Sequence, residues 1–142
     1  MTSDISYLLA TFALSGGTIE GRKRLQKIVC VLKHKYDVPF SYDYIPYHYG
    51  PYAENLASTI DMLVGVGFLE EQQNVMFDDI IQYVYKLTPE VEKFAEKSIA
   101  QLKREDPKIL AKMTEAVKEM NDMNIVDLVK LSKQATKFMY QY

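Results

Sequence analysis

The stretch that decides the fold is GFLEEQQNVMFDDIIQYVYKLTPE, which covers residues 67–90. Near its end, four apolar or aromatic side chains stand two residues apart, which is the spacing of a half-buried strand. These are Ile81, Tyr83, Tyr85 and Leu87. A polar, loop-like middle over residues 72–79 separates them from the apolar pair Phe68 and Leu69. The pattern therefore predicts a β-hairpin after Gly67.

Three helix-start signals follow the hairpin. Thr88-Pro89-Glu90 combines a capping residue, a proline suited to the first helical position and an acid suited to the positive end of the helix dipole. Asp106-Pro107 repeats this signal, and Asn124 can cap a last helix. We therefore expect three C-terminal helices within residues 89–142.

Two helices are expected at the N-terminal end. Asp4 or Ser3 can cap the first, and Gly16-Gly17 stops it. The second runs from Thr18, a usable N-cap, to Tyr36, with apolar residues on one stripe and basic residues largely off it. Both helices are therefore expected to bury one face.

An aromatic segment, residues 39–49, follows the second helix, and in it aromatic and small polar side chains alternate. The alternation predicts a short strand or an extended segment, which Pro46 interrupts. A third helix then restarts at Gly50-Pro51, because proline is tolerated in the first helical turn. Gly67 is placed to end this helix.

The order of these elements predicts a mainly α fold with a small β-hairpin, of the α+β class. Helices two and three followed by a two-stranded wing match the winged variant of the helix-turn-helix, although the aromatic segment is a long connection for it. The chain has 142 residues, which is the size of one domain. We expect a single domain over residues 1–142, with a winged-helix-like core at 1–90 and a C-terminal helical extension at 89–142.

Composition favours a globular chain without a membrane-spanning segment. Apolar residues make up 48% and charged residues 25%, which is the balance of ordinary globular proteins. The N-terminus lacks the basic and long apolar regions of a signal peptide, and no stretch approaches the roughly 20 apolar residues that span a bilayer. The lone Cys30 cannot form an internal disulfide. We expect a cytoplasmic location and no membrane partner.

Residues for catalysis or metal binding are sparse. Cys30 and His34 stand four apart on a helix, but together with His48 they do not form a ligand set of known zinc spacing. The flanking apolar residues predict that Cys30 is a buried, inert thiol. His48 has no evident partner for general-base work. We predict a non-enzymatic protein with no metal or cofactor.

A basic run opens the second helix at Arg22, Lys23, Arg24 and Lys27. Helix N-termini attract anions through their free N–H groups, and adjacent Lys and Arg side chains would strengthen contact with a phosphate or an acidic partner. The alternative is a solvated basic face with no ligand. The sequence leaves both interpretations open.

The aromatic segment and the turn after it are dense in tyrosine. The run comprises Tyr42, Tyr44, Tyr47, His48, Tyr49 and Tyr52. Tyrosine has an apolar body and a polar tip, so it suits hydrogen-bonded corners of a core and also protein interfaces. Tyr47, His48 and Tyr49 are therefore candidate partner-binding residues, with scaffolding of the turn as the alternative.

The charge distribution opposes DNA binding by the third helix and the wing. Residues 51–102 carry three Lys or Arg against nine acids, and none of these bases stands between Gly50 and Val84. DNA contact would have to come from the basic second helix and the lysine-rich C-terminal helices. Convergence of these bases on one positive surface would favour DNA, whereas a scattered arrangement favours a protein partner.

Two motifs resemble a known family. They are Gly21-Arg22-Lys23-Arg24-Leu25-Gln26-Lys27-Ile28-Val29 and Tyr44-Ile45-Pro46-Tyr47-His48-Tyr49-Gly50-Pro51-Tyr52. In them the chain resembles the YwgA-like family of uncharacterised bacterial and archaeal proteins, and more distantly the SocA-type antitoxin or Panacea domain. The Leu-Gln-Lys and Tyr-Gly-Pro pieces are the specific part. The resemblance implies a non-enzymatic helical or winged domain of regulatory or antitoxin type, with no established ligand.

These features together predict a winged-helix-like regulatory domain, with DNA-binding transcription regulation as the first hypothesis. The alternative is an antitoxin-like or adaptor module that binds another protein. Methionines and terminal aromatics of the last helices suit either a core or a partner surface, so a homodimer through the C-terminal helices is a further hypothesis. These residues are Met113, Met120, Met123, Phe138, Met139, Tyr140 and Tyr142.

Overall fold

The computed structural model describes residues 3–140, so Tyr142 of the terminal aromatic group lies outside the described residues. The described chain forms helices and three short strands. The elements are α1 (Asp4–Leu14), β1 (Thr18–Glu20), α2 (Arg22–Tyr36), α3 (Glu54–Gly65), β2 (Leu69–Val75), β3 (Ile81–Leu87), α4 (Pro89–Glu105), α5 (Pro107–Asp122) and α6 (Ile125–Ala135), with short 3-10 turns at Phe77–Asp79 and Lys137–Tyr140. The predicted mainly α fold with a small β element is confirmed.

The predicted hairpin is present as β2 and β3. They pair antiparallel from Leu69 opposite Leu87 to Val75 opposite Ile81. Of the residues that were expected to form a loop, 72–75 therefore belong to strand β2, and Phe77–Asp79 form a 3-10 turn. Because β2 is an edge strand and mostly exposed, it carries no apolar alternation that would mark it in the sequence.

Strand β1 was not predicted. Thr18 was expected to cap the second helix, but it pairs with Lys86 of β3, and α2 begins only at Arg22. The sheet thus has three antiparallel strands in the order β1-β3-β2. A three-residue strand is too short to show a period, and its partner lies far along the chain, so local sequence does not reveal it.

Helix α3 begins later than predicted. The expected start at Gly50-Pro51 is wrong, because these residues belong to a turn closed by paired backbone hydrogen bonds between Ile45 and Tyr52. The N–H groups of Gly67 and Phe68 bond back into the last turn of α3, and Gly67 has a φ of +81°. The prediction that Gly67 ends this helix is confirmed.

The predicted helix starts after the hairpin are also confirmed. Asp106 accepts a hydrogen bond from the Ile109 N–H, and Asn124 accepts one from the Asp127 N–H. Helix α4 begins at Pro89 as expected, but the Thr88 hydroxyl donates to the Gly67 carbonyl instead of capping the helix. Thr88 thus ties the start of α4 to the end of α3.

The C-terminal helices pack against the N-terminal ones. Helix α4 contacts α1, while α5 and α6 both contact α2. All six helices contribute to one buried cluster, which includes Leu8, Leu32, Leu56, Leu102, Val117 and Leu128. Within residues 3–140, no helix has the length and apolar composition needed to cross a bilayer.

The aromatic segment between α2 and α3 is extended but has no strand partner apart from the Ile45–Tyr52 bridge. Phe40, Tyr42 and Tyr44 are buried, and the Lys33 ammonium donates to the Tyr42 carbonyl oxygen at 2.5 Å. The Asp4 carboxylate accepts hydrogen bonds from the backbone and hydroxyl of Ser41. The segment is therefore held against α1 and α2 by its own side chains.

Candidate functional site

The Leu-Gln-Lys and Tyr-Gly-Pro motifs meet in space. The Gln26 side chain donates to the Ala53 carbonyl and accepts from the Ala53 N–H, each at 2.9 Å. The Lys27 ammonium donates to the Pro51 carbonyl at 2.9 Å. We call this contact, made by Gln26 and Lys27 with residues 50–53, the α2 junction. It fixes the turn that leads into α3.

Position 50 of the α2 junction requires a glycine, both for its backbone conformation and for the space that its neighbours leave. Its φ is +96°, a region that side chains rarely adopt. A β-carbon there would lie 2.9 Å from Lys27 Cε and 3.0 Å from Ser132 Oγ of α6. Glycine therefore allows the turn to close over Lys27 and to contact α6.

A cleft of about 650 Å³ lies beside the junction, between α2, residues 45–52 and α3. We call it the aromatic cleft. The apolar part of its buried lining includes Leu25, Leu56 and Ile60. Its exposed lining includes Tyr47 and Tyr49, of which Tyr49 is 69% exposed. Charged side chains complete the lining: Arg22, Lys23, Lys27, Glu54 and Asp61.

The basic run does not form one positive surface. Arg24 donates from Nη1 to the carbonyl oxygens of Met120 and Met123 at 3.0 and 2.6 Å. These carbonyls belong to the end of α5, where a cation complements the helix dipole. Arg24 thus joins α2 to α5. It is therefore neither a phosphate-binding residue nor part of a solvated basic face, which were the two interpretations of the basic run.

Arg22 is held by the sheet. Its Nε donates to the Tyr85 hydroxyl at 2.9 Å, its guanidinium carbon lies 3.6 Å from the centre of the Tyr83 ring, and Glu71 is 3.6 Å from its Nη2. The hydrogen bond to Tyr85 raises the pKa of Arg22. Burial raises the pKa of Tyr85 to about 12, so its hydroxyl stays protonated at neutral pH. Arg22 therefore forms one end of the cleft in a fixed position.

Lys27 is buried, contrary to the solvated interpretation. It is 3% exposed because the turn at Gly50 folds over it. Burial lowers the pKa of Lys27 to about 8, and the positive charges of Lys23 and Lys133 act in the same direction. Lys23 is exposed, as Arg22 is, and its ammonium lies 4.6 Å from the centre of the Tyr49 ring.

The aromatic run divides into two parts. Tyr42 and Tyr44 are buried scaffold, whereas Tyr47, His48 and Tyr49 are exposed. Tyr47 packs edge-on against Tyr52, and the Tyr140 hydroxyl bonds to the backbone of Tyr47 at 3.2 Å. Within residues 3–140, no hydrogen bond or ion pair joins His48 to a carboxylate.

Cys30 and His34 lie in the interior of α2. The predicted burial of the Cys30 thiol is confirmed, and burial raises its pKa to about 12. His34 packs between the rings of Tyr44 and Phe138, and burial lowers its pKa. Among the residues that the structure describes, no three His, Cys, Asp or Glu side chains are placed to hold a metal ion.

Sequence reasoning missed Gln26 and Tyr85 as parts of the site. Gln26 stands between Leu25 and Lys27 and is 6% exposed, which is unusual for a glutamine. Its place in the Leu-Gln-Lys motif was the one available signal. Tyr85 was assigned only to the buried face of a strand, and no local pattern indicates that its hydroxyl receives the Arg22 hydrogen bond.

Comparison with known proteins agrees with the motifs. No protein-family model matches the sequence. A stretch of 88 residues, 62% of the chain, is 39% identical to the uncharacterised protein YwgA of Bacillus subtilis (strain 168). This chain is similar to YwgA. The predicted YwgA-like resemblance is therefore confirmed, whereas the resemblance to the Panacea domain stays a prediction.

The chain spans about half of YwgA, since the match covers 51% of that protein. YwgA is itself uncharacterised, so the similarity carries no activity or partner to this chain. The aromatic cleft and the α2 junction are therefore the candidate functional site of this chain.

Proposed function

We propose that this chain is a non-catalytic, winged-helix-like binding module that takes a segment of another protein in the aromatic cleft. Regulation would then follow from this contact, as in an adaptor or an antitoxin. The proposal adopts the protein-binding alternative in preference to DNA binding.

The order of elements supports the winged-helix-like part of the proposal. The chain runs helix, strand, helix, helix, strand, strand, and β3 lies between β1 and β2 in one antiparallel sheet. The long segment between α2 and α3 departs from a simple helix-turn-helix. This long segment supplies one wall of the cleft, so the candidate site lies where the fold differs from a simple helix-turn-helix.

The observation that carries the proposal is the combination of exposed tyrosines and a buried apolar base in one cleft. Tyr47 and Tyr49 stand at the exposed lining, and Leu56 and Ile60 lie at the base. Tyrosine is enriched at protein interfaces because it offers a large contact area and a polar tip. A volume of about 650 Å³ is within the range of ligand clefts and admits a few side chains of a partner.

Charge favours a protein over a nucleic acid. Arg24 and Lys27 donate to backbone carbonyls inside the fold, and Arg22 faces Glu71. Glu54 and Asp61 on α3 line the same cleft and would repel phosphates. DNA-binding transcription regulation stays a prediction that is supported by the element order alone.

Selection of short random peptides on the immobilised chain tests the proposal. Ala57 lies on α3 and lines the cleft, so Ala57→Arg would fill it. Ala111 is exposed on α5, away from the cleft, and Ala111→Arg is the matched control. We expect wild-type chain and the Ala111→Arg variant to retain the selected peptides, and the Ala57→Arg variant to lose them.

A parallel arm uses random-sequence duplex and single-stranded DNA in fluorescence anisotropy at low salt. The proposal predicts that neither DNA shows salt-dependent binding to the chain. Salt-dependent DNA binding, with no peptide selected, would overturn it in favour of the transcription-regulator hypothesis. Peptides that bind the Ala57→Arg variant as well as wild type would also overturn it.

The homodimer and the cytoplasmic location also stay proposals. Met113 and Met120 are buried in the core, so they do not support a partner surface, whereas Phe138 is 62% exposed and Val126 is also exposed. Light scattering at micromolar concentration tests the dimer, and a monomer mass would remove that hypothesis.

A further inference from the structure

We propose that Lys27 is the carboxylate receptor of the aromatic cleft, so that the partner segment places an acidic group against its ammonium. The acidic group belongs either to a side chain or to a chain end. The inference rests on the proposed function for the identity of the ligand, but the Lys27 site itself can be tested separately.

Lys27 carries a buried positive charge without a counter-ion. Among residues 3–140, no carboxylate oxygen lies within 4.0 Å of its ammonium, although buried charges are ordinarily paired. The ammonium has three N–H donors, and one of them is used by the Pro51 carbonyl. Lys27 therefore has unused donors at the lining of a cleft.

The other charges near Lys27 make the site more positive. Lys23 on α2 and Lys133 on α6 both act on Lys27 through their positive charge, and the remaining titratable neighbour is the Cys30 thiol. The acids of α3 that line the cleft, Glu54 and Asp61, do not form an ion pair with Lys27. An arriving carboxylate would thus meet an uncompensated cation.

The rest of the cleft restricts the class of ligand. The lining around Lys27 includes Leu25 and Leu56, which favour an apolar or aromatic body next to the acidic group. The acids of α3 oppose a ligand with several negative charges. A single carboxylate on an apolar or aromatic body therefore fits better than a phosphate chain.

The first experiment uses small probes and the unmodified chain. NMR of protein labelled with ¹⁵N in the lysine side chains follows the Lys27 ammonium, whose signal is assigned by its loss in Lys27→Arg. Phenylacetate is expected to shift this signal and to raise the pKa of Lys27 by about 1 to 3, since an opposite charge favours the protonated form. Methyl phenylacetate, which lacks the charge, is the matched control.

Equal effects of the acid and its ester, or no effect of either, would overturn the inference. Phenyl phosphate is a third probe, and tighter binding of it than of phenylacetate would also count against a carboxylate receptor. The titration itself uses the wild-type chain, and a Lys27 variant is needed only to assign the signal, for which Lys27→Met serves as well as Lys27→Arg.

The second experiment separates this inference from the proposed function. Lys27→Met keeps the apolar stem and removes the charge, and Lys118→Met at an exposed position of α5 is the control. Peptides selected on wild type are expected to bind Lys27→Met about 10- to 100-fold more weakly, with Lys118→Met unchanged. Comparing each peptide as its free acid and its C-terminal amide distinguishes a chain end from an acidic side chain.

The outcomes differ for the two proposals. Peptides that bind the Lys27→Met variant as tightly as they bind the wild-type chain would contradict the role of Lys27 as a carboxylate receptor. They would not contradict the peptide-binding function. If phenylacetate shifts the Lys27 signal but no peptide is selected, the carboxylate receptor is supported and the peptide-binding function is contradicted. A thermal unfolding curve confirms that each variant is folded before its binding is compared.

Discussion

At the scale of single residues, the α2 junction shows how a polar motif becomes part of a core. Gln26 accepts from the buried Ala53 N–H, which would otherwise lack a partner, and it donates to the Ala53 carbonyl, which also accepts from the Ala57 N–H. Lys27 and Gly50 then fit together only because Gly50 has no side chain. These three residues stabilise one turn, and that turn shapes the aromatic cleft.

Gly50 provides the first prediction. Gly50→Ala is expected to lower the free energy of unfolding by about 1 to 3 kcal/mol, because it combines backbone strain with contacts shorter than 3.4 Å. Gly67→Ala has the strain without the contacts, and Gly65→Ala in α3 has neither. Urea unfolding should therefore rank the losses as Gly50, then Gly67, then Gly65. Equal losses at Gly50 and Gly67 would contradict the proposed crowding at Lys27.

Lys27 provides a prediction on pH. Its pKa is about 8 in the folded chain against an ordinary value of 10.5, so between these pH values the unfolded chain binds more protons. The free energy of unfolding attributable to Lys27 therefore rises with pH across this window, by at most about 3 kcal/mol. It is the burial of the charge at lower pH that destabilises the fold.

Urea unfolding of wild type and Lys27→Met at several pH values measures this effect. The difference between the two proteins should move in favour of wild type from pH 8 to pH 10.5. Cys30, whose raised pKa has the opposite effect at high pH, is present in both proteins. Parallel curves for the two proteins would show that Lys27 is not buried as a charge.

At the scale of elements, α2 connects the cleft to the core. On one side of α2, Gln26 and Lys27 bond to the turn at residues 50–53. Arg24 bonds to the end of α5. Helices α5 and α6 pack along the same helix. Its basic residues are therefore mostly used inside the fold, which explains why a basic run in the sequence does not become a positive surface.

Arg24 provides the prediction at this scale. Arg24→Met is expected to lower the free energy of unfolding by about 1.5 to 3 kcal/mol, because two carbonyls at the end of α5 lose a charged donor. Arg104→Met, at an exposed position of α4, should change it by less than about 0.5 kcal/mol. Equal values in chemical denaturation would mean that the Arg24 contact contributes no stability.

At the scale of the whole molecule, the C-terminal helices share one core with the helices and strands within residues 3–90. Leu102, Met113, Val117 and Leu128 are fully buried in the same cluster as the side chains of α1 and α2. Each such side chain contributes about 1.5 to 3 kcal/mol on burial, so together they are comparable with the whole stability of a typical domain. The helices and strands within residues 3–90 therefore depend on the C-terminal helices for much of their buried surface.

Truncation provides the prediction at this scale. A chain of residues 1–90 is expected to show no cooperative thermal transition and a poorly dispersed NMR spectrum, because the faces of α1 and α2 that pack on α4, α5 and α6 become exposed. The full chain should unfold in a single transition by circular dichroism. A well-dispersed spectrum for residues 1–90 would show that this part of the chain folds alone.

The elements that the sequence predicted correctly are those with a strong local signal. The period of two in β3 and the caps at Asp106 and Asn124 depend on neighbouring residues alone. Of the candidate site residues, Tyr47, His48 and Tyr49 are exposed as a partner surface requires. Arg24 and Lys27 were assigned to a surface, because a helical stripe does not indicate which polar residues another segment will cover.

The sequence by itself determined the α+β class, the helix starts after the hairpin, the hairpin and the burial of Cys30, since caps, periods and apolar neighbours act over a few residues. Only the tertiary structure decided that β1 exists, that Gln26 pairs with Ala53 and that Lys27 lies unpaired at a cleft. These features arise when segments far apart in the chain come together, and the burial of a charge depends on what folds over it.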